Sequence, residues 1–448
     1  MRKAVCVLTR LQGIDLMENK LVQSLTGKSA VDGRLGFFSI CTAHPVVIEA
    51  ALRHGLAHDA DVLIEATCNQ VNQDGGYTGM TPAHFRRYVE AIALKVGFDI
   101  DRLILGGDHL GPNPWKNLPP DEAMARAEIM IAGYASAGFR KLHIDTSMGC
   151  QGESQMPSDE VVAERAARLV HTAESAAPRE NPPVYVIGTE VPVPGGALEV
   201  LDQIEVTRPS AARHTIEVHR ASFERAGLSA AFDRVIGVVV QPGVEFGHQN
   251  VIVYRPELAR DLSSLLGAGH GYVFEAHSTD YQPVAALAAL VRDGFRILKV
   301  GPGLTFAYRE ALYGLDAIAQ VLKPVPGSES LEALMERLMS TEPENWEKYY
   351  HGTVDEQRIQ RHYSYSDRIR YYWAMPEAQA GVNALMERLE GVLIPETLVS
   401  QFLGALYSGV RAGSVKSTAV ALLDYSISRV LDDYHCAVFQ PERRAVAE

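Results

Sequence analysis

Short runs of apolar, β-favouring residues recur along the chain, and a longer stretch with helical spacing follows each. The runs fall at 37–41 (FFSIC), 61–65 (DVLIE), 103–107 (LILGG), 141–145 (KLHID), 184–188 (VYVIG), 236–241 (IGVVVQ), 272–276 (YVFEA) and 296–300 (RILKV). Runs that are apolar on both faces suit parallel strands buried between a barrel interior and covering helices. The intervening segments repeat their apolar residues at helical spacing, as in HPVVIEAALRHG (44–55), TPAHFRRYVEAIALKVG (81–97), PDEAMARAEIMIAGYASAG (120–138) and DYQPVAALAALVRDG (280–294). Several end in glycine, as helix C-termini often do. Strict alternation with a count of eight predicts an α/β fold of the (β/α)8 TIM-barrel type rather than an open doubly wound sheet. No GxGxxG follows the first run, so no nucleotide cofactor is expected.

The rhythm stops near residue 325. PVPGSES reads as a linker. Segments such as LEALMERLM, AQAGVNALMERLEG and PETLVSQFLGALYSGVRAG follow it. The expected organisation is an N-terminal extension over 1–27, a barrel domain over 28–325, and a mainly helical region over 326–448 that packs on the barrel. The tail QPERRAVAE is expected to fray.

Composition narrows the function. With 448 residues, 47% of them hydrophobic, the chain carries enough apolar matter for a large core. The formal net charge of −13 argues against nucleic acid and anionic membranes as partners, though not against a local basic pocket for a phosphate. Five cysteines without CxxC spacing argue against a disulfide framework or a thiolate zinc site, and fit a reducing cytoplasm. The first twenty residues, interrupted by Arg10, Gln12 and Asp15, lack the apolar stretch of a signal peptide. No run of about 18 apolar residues occurs, so no membrane span is expected.

The strand ends, which face the active end of a barrel, are unusually polar. In order they supply Thr42 and His44; Glu65, Asn69, Gln70 and Asn72; Asp108 and His109; Asp145, Thr146 and Ser147; Glu190; Gln241, Glu245 and His248; His277, Ser278, Thr279 and Asp280; and Gly301, Gly303 and Thr305. His109 and His277 each follow directly on a buried strand, where the backbone is rigid, and are the best candidates to ligate a divalent metal such as zinc. His248 is the first choice for a third ligand, with Glu190 or Gln241 as alternatives. His143 shares a strand face with Asp145, which suits either an orienting residue or a packed core histidine. Asp108 adjoins a presumed ligand and is the best acid/base candidate. Glu65, Asp145 and Glu190 would bind sugar-type hydroxyls or act as a second acid/base, with Asn69 beside them. KVGPGLTFAYREAL offers the close backbone approach of Gly301 and Gly303, then Thr305 at a helix start; with Ser278 and Thr279 it reads as a phosphate site.

Several segments resemble the GatZ/KbaZ family, named for a subunit of D-tagatose-1,6-bisphosphate aldolase. They are IEATCNQVNQDGGYTGMTPAHF, LILGGDHLGPNPW, VIGTEVPVPGG, VVVQPGVEFGHQN, VFEAHSTDYQP and ILKVGPGLTFAYREA. The resemblance runs from about residue 28 to about 435. A fainter likeness to class II ketose-bisphosphate aldolases rests on Asp108-His109, Ile144-Asp145-Thr146-Ser147, Glu190 through Gly196, and His277-Ser278. In those aldolases the aspartate is an acid/base and the histidines bind zinc. Their middle histidine has no clean match here, and His248 is the candidate for its place.

The resemblance implies a phosphorylated ketose as substrate. It attaches two roles to the chain: 4-epimerisation between D-tagatose 6-phosphate and D-fructose 6-phosphate, or non-catalytic support of an aldolase catalytic subunit. A scaffold needs neither an Asp-His pair nor a second metal histidine, so metal-dependent epimerisation by retro-aldol cleavage and re-addition is the expected activity. An aldolase chain and further copies of this chain are the macromolecular partners that remain open. The stretch RHYSYSDRIRYYW (361–373) reads either as a lid over the sugar phosphate or, in preference, as an amphipathic helix packing its aromatics on the barrel.

Overall fold

The structure, a computed structural model, describes residues 35–189, 204–266 and 272–439. The expected extension over 1–27, the candidate residue Glu190 and the QPERRAVAE tail lie outside the described residues.

Eight parallel strands close into a barrel: β1 (Phe37–Cys41), β2 (Val62–Thr67), β3 (Leu103–Leu110), β4 (Lys141–Ile144), β5 (Val184–Ile187), β6 (Val235–Val239), β7 (Val273–Ala276) and β8 (Phe295–Val300). Each pairs with its neighbour in sequence, and β8 returns to β1 with Phe37 beside Ile297. The fold is a TIM barrel, and every strand lies on one of the eight apolar runs. One boundary matters for the site. The third run extends to Leu110, so Asp108 and His109 lie within β3 instead of following it. The β3–β4 pairing slips between Gly107 and Leu110, and His109 takes φ 49° there. A non-glycine residue in that region is strained and persists only where its surroundings hold it.

Strand parity stacks the barrel interior in layers. Phe37, Leu63, Ile104, Val273 and Ile297 form an apolar plug at the N-terminal end. Two residues further along three of these strands stand Glu65, Glu275 and Lys299, all buried. Two further again come Thr67, His277 and Gly301, at the mouth. In β3 the corresponding series is Ile104, Gly106, Asp108. Gly106 is required for the middle layer: a Cβ there would sit 2.8 Å from Glu65 Cγ.

The covering helices begin and end where local chemistry directs. The helix α1 (Pro45–Ala57) has proline in its first turn. In α2 (Pro82–Val96) the Thr81 hydroxyl accepts from the His84 amide, and Gly97, at φ 76°, stops the helix. The helices α3 (Pro120–Ser136), α4 (Asp159–Ala176), α5 (Pro209–Arg225), α6 (Pro256–Ser263), α7 (Val284–Arg292) and α8 (Pro302–Leu322) complete the ring. An antiparallel hairpin, Glu245–Phe246 with Val251–Ile252, follows β6; strands of two residues are too short to leave a periodic signature.

After the exposed linker the chain is helical, with α9 (Leu331–Thr341), α10 (Val354–Tyr363), α11 (Pro376–Arg388), α12 (Glu396–Phe402), α13 (Tyr407–Arg411) and α14 (Ala419–Phe439). The long α14 packs against α1, α7 and α8. The 361–373 stretch is not one helix. Its helix ends at Tyr363, and a single 3-10 turn spans Arg368–Tyr371. Tyr372 and Trp373 are buried, as aromatic packing requires, while Arg368 and Arg370 face a cavity at the barrel mouth. No disulfide joins Cys41, Cys68, Cys150 and Cys436, and no described helix is long and apolar enough to cross a membrane.

Candidate active site

Three imidazoles meet at the mouth of the barrel: His109 of β3, His143 of β4, and His277 just past β7. Their ring centroids are 5.0 Å (His109–His143), 4.9 Å (His109–His277) and 5.1 Å (His143–His277) apart. Each places one ring nitrogen on a carboxylate. His109 Nδ1 lies 2.8 Å from Asp145 Oδ2, His143 Nδ1 2.8 Å from Asp108 Oδ1, and His277 Nε2 2.9 Å from Glu275 Oε1. The His109 amide also directs its N–H at His143 Nδ1, at 3.2 Å. The shorter, charge-assisted contact marks that nitrogen as the one that donates to Asp108.

The other nitrogen of each ring is thereby left over: Nε2 of His109, Nε2 of His143 and Nδ1 of His277. His143 Nε2 is buried without a hydrogen-bond partner. Metal-ligating histidines characteristically give their second nitrogen to a carboxylate, which fixes tautomer and ring orientation. Asp108, His109, His143 and His277 each offer a ligand atom within 4.8 Å of the others. Three imidazoles suit a divalent transition metal such as zinc, with the Asp108 carboxylate beside it.

Beneath the cluster lies a buried ionic layer. Lys141 Nζ is 2.7 Å from both Glu65 Oε1 and Glu275 Oε2. Lys299 Nζ reaches Glu65 Oε2, and lies 3.0 Å from Asp108 Oδ1. Burial favours the neutral form of Asp108, but the charge on His109, the hydrogen bond from His143 and the charge on His277 outweigh it and hold the carboxyl well below its usual range. His109 is desolvated too, yet Asp108 and the Asp145 hydrogen bond raise it to about 9. Asp108 Oδ2, 3.7 Å from His109 Nε2, is left toward the cavity.

The cavity measures about 440 Å³, and its walls include Asn69, Asp108, His109, His277, Ser278 and Lys299. That is room for a sugar phosphate with some water.

Residues 22–439 match the family described as D-tagatose-1,6-bisphosphate aldolase subunit GatZ/KbaZ-like. The chain belongs to the GatZ/KbaZ-like family. It is 52% identical, over 94% of its length and 98% of the relative, to a protein of Agrobacterium fabrum named D-tagatose 6-phosphate 4-epimerase. A crystal structure from Sinorhizobium meliloti 1021, described as a probable tagatose 6 phosphate kinase, superposes with a TM-score of 0.84 at 58% identity, covering 90% of this chain and 100% of that one.

On this GatZ/KbaZ-like barrel the residues singled out in the sequence divide into those gathered at the mouth and those set apart. Asp108, His109 and His277 converge. His248 does not join them. It lines the cavity wall, its Nδ1 3.1 Å from Ser364 Oγ, and His143 occupies the third imidazole position of the cluster. Gln241 spends its Oε1 on the amides of Gly243 and Val244. Asp145 stands behind His109, its Oδ1 taken by the amide and hydroxyl of Ser147. Glu65 is 0% exposed and lies under the floor, held by the two lysines. Asn69 and Ser278 reach the cavity.

The loop read as a phosphate site is closed from within. The amides of Gly301 and Gly303 both donate to Asp280 Oδ1, at 2.9 and 2.8 Å. Thr279 Oγ1 donates to the Lys299 carbonyl, and Thr305 Oγ1 donates to Asp367 Oδ2 at 2.5 Å. Residues not singled out as functional, Lys141, Glu275 and Lys299, form the ionic layer. Parity held a usable signal, since Glu275 precedes His277 by two residues and Lys141 precedes His143 by two. Both lysines lie inside strands, where an apolar run hides one charge.

Proposed function

We propose that this chain interconverts D-tagatose 6-phosphate and D-fructose 6-phosphate by inverting C4. The observation that carries the reading is the set of three carboxylate-held imidazoles with Asp108 between them, opening on a sugar-sized cavity. The name of the Agrobacterium relative points to the same reaction.

In this reading His109, His143 and His277 hold a divalent metal, which when bound would polarise the ketose carbonyl and favour an enediolate. Asp108 is the acid/base. His143 and Lys299 fix its Oδ1, so the carboxylate is ionised and oriented, with Oδ2 toward the substrate. That oxygen takes the proton of the C4 hydroxyl. The C3–C4 bond then breaks, leaving its electron pair on the three-carbon enediolate and an aldehyde at the former C4. Rotation of the retained aldehyde presents its other face. The enediolate re-adds through C3, and Asp108 returns the proton to the new C4 oxygen. No atom is gained or lost, and no redox cofactor is needed. Abstraction of the C4 hydrogen is disfavoured, because C4 is not adjacent to the carbonyl.

The test is the purified chain alone, supplied with a divalent metal and D-tagatose 6-phosphate. D-Fructose 6-phosphate should form, and Asp108→Asn should abolish its formation. Absence of conversion with several metals would sink the reading. The family description favours a second reading, a supporting subunit of an aldolase. It predicts no turnover alone and a stable complex with a catalytic aldolase chain. A kinase activity draws no support from the sequence, in which no GxxxxGK[ST] occurs.

A further inference from the structure

The cavity needs a partner for the phosphate of its ligand, and the usual barrel location is taken. Asp280 occupies both amides of the β8 loop and sets a carboxylate in that wall. A dianion approaching there meets a filled site and a like charge.

The C-terminal region supplies a different wall. Arg368 and Arg370, from the 3-10 turn, line the same cavity. Arg368 lies with its guanidinium carbon 3.3 Å from the centroid of the Tyr349 ring. Its Nε donates to the Asn345 carbonyl, and its amide donates to Tyr350 Oη at 3.2 Å. These contacts fix the plane of the guanidinium and leave its two terminal nitrogens for the cavity. Arg370 is held from behind: Nη1 donates to the carbonyls of Ser366 and Asp367, and Nη2 to Tyr371 Oη at 2.8 Å, which leaves one Nη2 hydrogen and Nε. Among the described residues, no carboxylate lies within ion-pair distance of either arginine. A largely buried guanidinium is costly unless an anion completes it, and its fork of donors matches a phosphate.

We infer that Arg368, with Arg370 beside it, grips the phosphate of the substrate, so that the C-terminal region rather than the β8 loop selects phosphorylated over free sugars. This rests on the sugar-phosphate reading given above. The assignment of the grip, however, follows from two observations independent of the reaction: the loop filled by Asp280 and the two arginines without carboxylates.

The experiment is calorimetric titration of the full chain with inorganic phosphate, which needs no turnover. Arg368→Gln should weaken phosphate binding about ten- to a hundredfold, the scale of one or two charge-assisted hydrogen bonds. Arg368→Lys should recover part of the loss, since it keeps the charge but not the fork. Asp280→Asn removes a neighbouring like charge and should not weaken phosphate binding, which should still depend on Arg368. Thermal melts show whether each variant is folded; if Arg368→Gln is not, the lysine variant decides alone. Unchanged affinity in the Arg368 variants overturns the proposal, as does a wild-type chain that binds no phosphate. Phosphate binding by Asp280→Asn that is indifferent to a second change, Arg368→Gln, would move the site to the β8 loop and overturn it as well. Phosphate binding that depends on Arg368 in a chain without epimerase activity would refute the activity and keep the grip. Turnover with an unchanged KM in Arg368→Gln would do the reverse.

Discussion

His109 Nδ1 and Asp145 Oδ2 lie 2.8 Å apart with both side chains buried, so a residue just past β4 holds the imidazole carried by β3. Such a carboxylate orients the ring and raises its basicity without touching the metal it would bind. Asp145→Asn should therefore weaken zinc binding roughly 10- to 100-fold while the fold persists. Competition with a chromophoric chelator measures this, and activity should return at raised metal concentration. Equal zinc affinity in the two proteins would remove Asp145 from the site.

In the proposed reaction Asp108 moves the proton, so its loss should separate chemistry from binding. Asp108→Asn keeps the shape of the side chain and its acceptor toward His143. We expect kcat to fall by at least about 10² to 10⁴, the usual range for a general acid–base, in a variant that still folds but melts below the parent, because the Lys299 contact loses its charge. A kcat within tenfold of the parent would assign the proton transfer to another group.

Lys141 bridges Glu65 and Glu275 at 2.7 Å each, and all three side chains are fully buried. Lys141→Met would leave two carboxylates facing one another with a single lysine between them. Removing one partner of a buried ionic group typically costs about 3–5 kcal/mol, more than the packing a methionine returns. Urea unfolding should show a loss of that order. The double variant Lys141→Met, Glu275→Gln should recover a large part of it, because the uncompensated charge goes with it.

Asp367 links pH to stability at the junction of barrel and C-terminal region. Burial raises its carboxyl to about 7, against the opposing charge of Arg309 and the hydrogen bond from Thr305. An unfolded aspartate titrates at about 3.9. A folded value above the unfolded one means that the contribution is fully present below about pH 4 and is lost as pH rises through about 7. Asp367→Asn, which can still accept from Thr305, should thus gain Tm relative to the parent between pH 5 and pH 8. At pH 4 the two should melt alike. A Tm difference independent of pH would contradict this.

The pattern of apolar runs was enough for the barrel. Each strand is specified by a short apolar segment and each helix by its own spacing and end signals, as with Thr81 and Gly97 around α2. These cues act between residues close in sequence, and closure follows from having eight of them. Asp108, His109 and His277 were legible for the same reason, since a polar residue at the end of a buried strand stands out locally. What the chain alone left undecided depends on how far each side chain sits along and around the barrel. His143 and Asp145 share a face by parity. Only the pairing slip between Gly107 and Leu110, with His109 at positive φ, turned Asp145 into a holder of His109 and left His143 Nε2 bare at the centre. The amides of Gly301 and Gly303 looked open until Asp280, carried on the neighbouring strand's loop, closed them. Arg368 and Arg370 read as part of a packed aromatic helix, and the break after Tyr363 brought them to a mouth built by residues far earlier in the chain. Sequence determined which local elements form, because propensity and periodicity are short-range. Which carboxylate reaches which nitrogen, and which polar residues lie beneath the mouth, was settled by long-range packing.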